Sequence, residues 1–345
     1  MQPIDPAAPQ QVVRSRTLPV THYLAQFPWW LIGVALIAVL FAWQLTTDSN
    51  YQVIFQAVIS GLWITITVTL VAYAFALLLG LLLAVIRLSK PASVVTARRR
   101  NLPSRIAAYV RWGISIVIYQ LATFLVEIVR GVPVLVLLLY IAFVFFPWVV
   151  DGINAVGNGL IDRALPQTVL LGPPMVEPFG QWITGAGIPF LQGPGQLLAG
   201  LILRDVPNIA RVIFALVLAY GVFLSEIFRA GIQSIEPGQA EAARALGMNR
   251  FQVMTTIILP QAIRNILPAL GNDFIAMLKD SSLVSVLGVP DLTNQTRLYI
   301  ASTFRTFEGY NIMAFLYLSM TLILSLVVRW VELRITRYRK TRGQD

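Results

Sequence analysis

From Val53 to Ile86 the chain runs without a single charged residue. As one helix this run would measure about 50 Å at 1.5 Å per residue. A bilayer's hydrocarbon core is only about 30 Å thick, so part of the run must tilt or lie at an interface. The rest of the chain is of the same kind: 57% of the 345 residues are hydrophobic and 12% charged, against about 25% charged in soluble domains. Folded in water, such a chain would expose large apolar patches. Several apolar runs reach the roughly 20 residues that a spanning helix needs, and a helix satisfies its backbone groups internally, as a bilayer requires. The expected fold class is therefore all-α, a polytopic transmembrane helical protein.

The formal charge of +10 does not point to nucleic acid. The basic residues stand in short blocks between apolar runs, the placement that fixes orientation in a membrane. The chain has no cysteine, and its one histidine, His22, lies in a polar N-terminal stretch. Disulfides, thiolate metal sites, a His-rich metal site and a Ser-His-Asp triad are thereby excluded.

Six spans are expected, at about residues 28–46, 53–86, 131–149, 209–229, 261–289 and 311–330. The first follows a mostly polar tail, 1–27, with no clear small-residue cleavage site after it, so residues 28–50 read as a retained span. Arg87, Lys90, Arg98, Arg99, Arg100 and Arg105 place segment 87–105 in the cytoplasm. Arg329, Arg334, Arg337, Arg339, Lys340 and Arg342 do the same for the C-terminal tail, including 336–345, and Arg14 and Arg16 for the N-terminus. An even number of spans agrees with both termini being cytoplasmic. Residues 106–129 are apolar enough to cross apart from Arg111 and Glu127. They are expected to lie along the inner face, so that 87–130 forms a cytoplasmic or interfacial segment. Trp29, Trp30, Trp63 and Trp148 fall near span ends, where aromatic rings anchor helices.

Segment 147–208 differs. Gly172-Pro173-Pro174 and Gly193-Pro194-Gly195 punctuate it, and its few charges are mixed. It reads as an irregular, outward-facing insertion with short helices. It either caps the outer mouth and meets a delivery protein, or only packs.

The functional signal lies between residues 231 and 260. Glu236-Pro237 opens a helix, because proline fits the first turn. Gln239–Leu246 is rich in helix formers, and Gly247 ends it by tolerating positive φ. A second amphipathic helix, about 249–258, leads to Pro260 and the next span. The product is an exposed helix–glycine–helix elbow. It either docks in a groove on a soluble partner, whose motion then levers the spans, or merely reconnects two helices.

Glu241-Ala242-Ala243, three residues, Gly247, nine residues, then Ile257-Ile258-Leu259-Pro260 resembles the EAA loop of ATP-binding-cassette (ABC) importer permeases. Val126–Pro133, Gly271-Asn272-Asp273, Leu278–Leu283 and Leu287–Thr293 resemble segments of the histidine/glutamine-type polar amino acid permeases. The resemblance implies a type I ABC importer membrane domain over residues 51–335, with a five-span core plus an extra N-terminal span. Two ATPase subunits would sit on the cytoplasmic face, coupled through Glu236, Glu241, Ala242, Ala243, Gly247, Leu259 and Pro260. It further implies a second permease subunit and an extracytoplasmic amino-acid-binding protein, in the bacterial cytoplasmic membrane. The extra span and the long insertion resemble the longer membrane subunits of general L-amino acid permeases, which pair with a different permease chain. No Walker A pattern, G-x-x-x-x-G-K-[ST], occurs. This chain is thus expected to bind no cofactor and to be no enzyme, with ATP and Mg held by partner subunits.

An amino acid carries an ammonium and a carboxylate, so its path needs polar groups inside the bilayer. The candidates are Glu226, Asn272, Asp273, Lys279 and Asp280, with Ser281, Ser282 and Ser285 nearby. Each has a structural alternative: Glu226 and Arg229 are one turn apart and suited to pair, and Lys279 and Asp280 could pair with neighbouring spans. Glu127, Arg130 and Arg229 are interfacial or gating candidates. Three other functions compete: an ATP-independent secondary transporter or channel, an intramembrane enzyme, and an ABC permease for another polar solute such as an opine or a sulfur compound. The elbow's spacing speaks against the first, the lack of a nucleophile–base or metal set against the second, and the amino-acid-type motifs against the third.

Overall fold

The computed structural model describes residues 29–89, 102–164, 168–169, 183–184 and 206–342. The chain divides into two units, Met1–Gln52 and Val53–Asp345. In the first, helix α1 (Trp29–Thr47) is followed after one residue by the start of α2 (Ser49–Leu88). Side chains close the joint: Asn50 N–H donates to Asp48 Oδ1 at 2.8 Å, and Gln52 Nε2 to the Thr46 carbonyl at 3.2 Å. The rings of Phe41 and Tyr51 meet edge to face at 6.1 Å. α1 carries no charged residue over its 19 residues. The tail 1–27, with Arg14, Arg16 and His22, lies outside the described residues.

The second unit is built on helices. The charge-free run forms the body of α2, one helix of 40 residues, about 60 Å long. After it come α3 (Leu102–Gly131) and α4 (Val134–Ala164), with Pro133 at the N-cap of α4 separating the two. Among the described residues a two-residue antiparallel strand pair, Thr168–Val169 with Ile183–Thr184, is the exception to the all-α fold. Then follow α5 (Asn208–Gln233), α6 (Pro237–Ala245) and α7 (Arg250–Asp280), a 3₁₀ turn Ser281–Leu287, α8 (Leu292–Thr303) and α9 (Thr306–Arg342).

Among the described residues two helices carry a π segment: α4 over Ile141–Phe145 and α7 over Val253–Ile258. Each ends two residues before a proline, Pro147 and Pro260. Proline lacks the N–H of the i→i−4 bond, and its ring presses on that carbonyl; the widened turn relieves both. The expected separate helix at 249–258 is thus corrected. It is the first part of α7, which continues through Pro260 without a break.

Among the described residues six helices are long and apolar enough to cross a membrane: Ser49–Leu88, Ala108–Gly131, Val134–Asp162, Asn208–Gln233, Arg250–Leu287 and Thr306–Arg334. The number equals the expected one, but the membership differs. Ala108–Gly131 qualifies, because Arg111 and Glu127 sit near its ends and leave Trp112–Val126 uncharged. Its buried residues, Ala122, Val126 and Val129, lie in the last turns. The insertion also starts later than expected. Val149, Ile153, Val156 and Leu160 keep helical spacing, and α4 runs on to Ala164 despite Gly152, Gly157 and Gly159. The Gly-Pro clusters at 172–174 and 193–195 lie outside the described residues, as do Lys90 and Arg98–Arg100.

The core joins Ala72, Ala76 and Leu83 of α2, Val126 of α3, Leu138 of α4, Leu216, Ala219 and Leu224 of α5, and Met277 of α7. α2 and α5 approach through glycine. A Cβ on Gly80 would meet Leu224 Cβ at 2.8 Å and the Gly221 carbonyl at 2.9 Å. Such close backbone approach is how helices associate where lipid supplies no hydrophobic drive. Two contacts make α5 and α7 antiparallel: Asn265 Nδ2, midway along α7, donates to Ser234 Oγ at the C-cap of α5 at 3.0 Å, and Tyr220 OH, midway along α5, donates to Asp280 Oδ2 at the end of α7 at 2.7 Å.

Candidate coupling and translocation site

The elbow is closed at both ends by backbone and side-chain bonds. Gly247, at φ +83°, lets the chain turn out of α6. Its N–H donates to the Arg244 carbonyl at 2.9 Å, and Met248 N–H donates to the Ala243 carbonyl at 3.2 Å. That pair of bonds is a Schellman motif. Two residues on, Asn249 opens α7 with a reciprocal capping box: Gln252 N–H to Asn249 Oδ1 at 2.9 Å, and Asn249 N–H to Gln252 Oε1 at 2.8 Å. Three residues, Leu246 to Met248, therefore connect two capped helices. Within α6 only Ala243 is buried, and it faces the π segment on which α6 packs. Glu236, Glu241, Ala242 and Gly247 are exposed. So are the apolar side chains of Leu246 and Phe251, at 84% and 76%. Leu259 is half-buried, and Pro260 is exposed just past the π segment.

A charge cluster lies where the C-terminal ends of three helices converge. Glu226 of α5 takes Arg87 of α2 on Oε1. Its Oε2 receives Arg229 Nε at 3.1 Å, and Arg130 of α3 stands 3.8 Å from Oε1. Glu127 reaches Arg87 at 3.9 Å. Helix C-termini carry partial negative charge, so three guanidinium groups there are favourably placed. Glu226 is thus the hub of an ion-pair network; its expected pairing with Arg229 holds, and Arg87 and Arg130 join it. Arg87 was not among the sequence candidates. Its one signal is that it is the first charge after Ile86.

The polar residues of α7 separate by face. Asn272 and Lys279, two turns apart, are exposed. Asp273 and Asp280, also two turns apart, turn toward the bundle: Asp280 accepts from Tyr220, while Asp273 Oδ2 is buried without a partner among the described residues. Tyr73 of α2 lies beside them, with its OH donating to the Leu270 carbonyl at 2.7 Å and its ring 4.7 Å from Phe274. Ser281 is buried and donates to Leu278 at 2.7 Å; Ser282 is half-buried; Ser285 is buried, and its carbonyl accepts from Asn294. Asp291 is buried and caps α8 by accepting from the N–H groups of Asn294 and Thr293.

The network, the elbow and the α7 faces all lie within residues 105–337 apart from Arg87 and Tyr73. The family model of binding-protein-dependent transport system inner membrane components matches that range. The chain belongs to this family. It is similar to the probable amino-acid permease protein YxeN of Bacillus subtilis, at 40% identity over 129 residues, 37% of this chain and 58% of that protein. The probable glutamine ABC transporter permease protein GlnM of the same organism is 36% identical over 165 residues, 46% of this chain and 76% of GlnM. The glutamine transport system permease protein GlnP of Escherichia coli is 41% identical over 133 residues, 39% of this chain and 60% of GlnP. The chain thus spans less than two thirds of the length of YxeN and GlnP. A crystal structure of an amino acid ABC transporter with histidines superposes with a TM-score of 0.54 at 31% identity, covering 81% of this chain and 94% of that one. The expected helical, multi-pass transmembrane fold holds, with its likeness to the membrane subunits of ABC transporters.

Proposed function

We propose that the chain is one membrane-spanning subunit of an ABC importer that carries amino acids across the bacterial cytoplasmic membrane. The observation that carries this reading is the elbow. A short helix with one buried residue, a Schellman glycine and a capping box form a stiff, exposed projection between two spans. Stiffness matters, because a flexible loop would absorb a partner's motion instead of transmitting it. Glu241, Leu246 and Phe251 present a carboxylate and two large apolar groups to a groove on a separate ATPase subunit, where ATP and Mg bind. Two such ATPase subunits, a second and different permease chain and an extracytoplasmic binding protein complete the assembly. The elbow and both termini then face the cytoplasm.

Asn272 and Lys279, exposed along one face of a spanning helix, line the path. An exposed ammonium inside a span is costly against lipid and acceptable against water or substrate. Glu127, Arg130, Arg229 and Glu226 close the inner ends of three helices.

Affinity purification in mild detergent tests the reading. Co-purifying ATPase and permease chains, with ATP-dependent amino acid uptake after reconstitution, is the expected result. Uptake driven by an ion gradient without any ATPase chain would replace it with a secondary transporter.

A further inference from the structure

Helix α9 has two unlike faces. On one, Val328 closes on Gly271 of α7, whose added Cβ would meet the valine methyls at 2.7 and 2.8 Å. On the opposite face Ile323, Leu326, Val327, Trp330 and Leu333 follow one another at helical spacing, each more than half exposed. Helix–helix contacts inside a membrane favour small residues that let backbones approach. This stripe has none, and its large branched and aromatic groups suit acyl chains. It ends on a cation. The guanidinium of Arg334 lies over the Trp330 ring, 4.9 Å from its centroid, where the apolar residues of α9 give way to its basic C-terminal turns. The stacking holds the charge in place at the hydrocarbon boundary. Among the described residues no carboxylate pairs with Arg334. The sequence beyond it adds Arg337, Arg339, Lys340 and Arg342, with no acid before Asp345. Basic clusters that directly follow a span attract anionic headgroups.

We propose that Trp330 and Arg334 form a binding site for an anionic phospholipid. The headgroup phosphate sits on the guanidinium, and an acyl chain lies along the stripe from Leu333 toward Ile323. The inference needs only that the chain sits in a bilayer, so it survives failure of the importer reading.

The full-length chain, purified in detergent, is mixed with phosphatidylglycerol or phosphatidylcholine and followed by native mass spectrometry and thermal unfolding. Wild type should retain phosphatidylglycerol preferentially and unfold at a higher temperature with it. Arg334→Gln should weaken retention about fivefold, the effect of one basic residue at an anionic surface, and Arg334→Lys should restore part of it. Equal retention by wild type and Arg334→Gln overturns the proposal, as does a stabilisation that inorganic phosphate alone reproduces. The chain has no cysteine, so Leu326→Cys gives a single label. Reaction with a lipid-soluble maleimide supports the site, and cross-linking to another protein chain overturns it by showing that protein covers the stripe.

Discussion

Arg87 at the end of α2 and Glu226 near the end of α5 are 139 residues apart in sequence and in direct ionic contact. The contact is largely shielded, with side-chain exposures of 10% and 18%. Glu226→Gln leaves Arg87 enclosed beside Arg130 and Arg229 without its main counter-charge. Stability should fall by about 3 kcal/mol, the scale for breaking one partner of an enclosed pair. Thermal unfolding in detergent measures it, and the double variant Arg87→Gln with Glu226→Gln should regain part of the loss.

Gly247 has open space around it but a left-handed backbone. Gly247→Ala should therefore cost only about 1 kcal/mol, the penalty of positive φ, and Gly247→Asn less. Gly247→Asp and Glu241→Lys should abolish ATP-driven uptake in reconstituted vesicles while the chain still inserts and folds. Normal uptake by both would remove the docking role from the elbow.

Lys279 and Asp280 are adjacent and should behave oppositely. Lys279→Ala removes an exposed group with no hydrogen bond or ion pair among the described residues. Stability should stay within about 0.5 kcal/mol, while uptake falls at least about tenfold if the charge lines the path. Asp280→Ala strands the Tyr220 hydroxyl and should lower stability by about 1–3 kcal/mol. Paired unfolding and uptake assays separate the two.

Asp291 lies between spans, and burial pushes its carboxyl up from 3.8 to about 6, against the opposing pull of the N–H groups of Asn294 and Thr293. A raised carboxyl favours the folded state most while protonated. Its contribution is full below about pH 4 and is lost as pH rises through 6. Asp291→Asn keeps the cap and should flatten this component of the stability profile between pH 4 and 6.

Gly80→Val should push α2 off α5, because Leu224 Cβ and the Gly221 carbonyl already occupy the space. A loss of about 1–3 kcal/mol is expected from overpacking, read from the same unfolding curves.

The legible parts of this protein are the local ones. Gly247 announces its own conformation, and Glu226 and Arg229, one turn apart, announce their pair. The division of α7 into an Asn272/Lys279 face and an Asp273/Asp280 face follows from seven-residue spacing. What was not legible depends on distance or on small balances. Nothing near Glu226 names Arg87 as its partner, and nothing near Asp280 names Tyr220. For Ala108–Gly131, composition and charge argued in different directions. In α4 an apolar stripe outlasted three glycines that read as loop. The widened turns before Pro147 and Pro260 are visible in the sequence only as prolines, which ordinarily argue for a helix end.

The widened turn at Val253–Ile258 also sets which changes in chain length this protein can absorb. A π segment of this kind holds one residue more than the α-helix it interrupts. Losing one residue inside it would let α7 run as plain α-helix, with the Asn272/Lys279 face still aimed as before relative to the elbow, though with Pro260 pressed against a carbonyl. Losing one residue between Gln261 and Gly271 would swing that face by about 100°. Single-residue deletions among family members should therefore gather in the six residues before Leu259 and avoid the stretch after it.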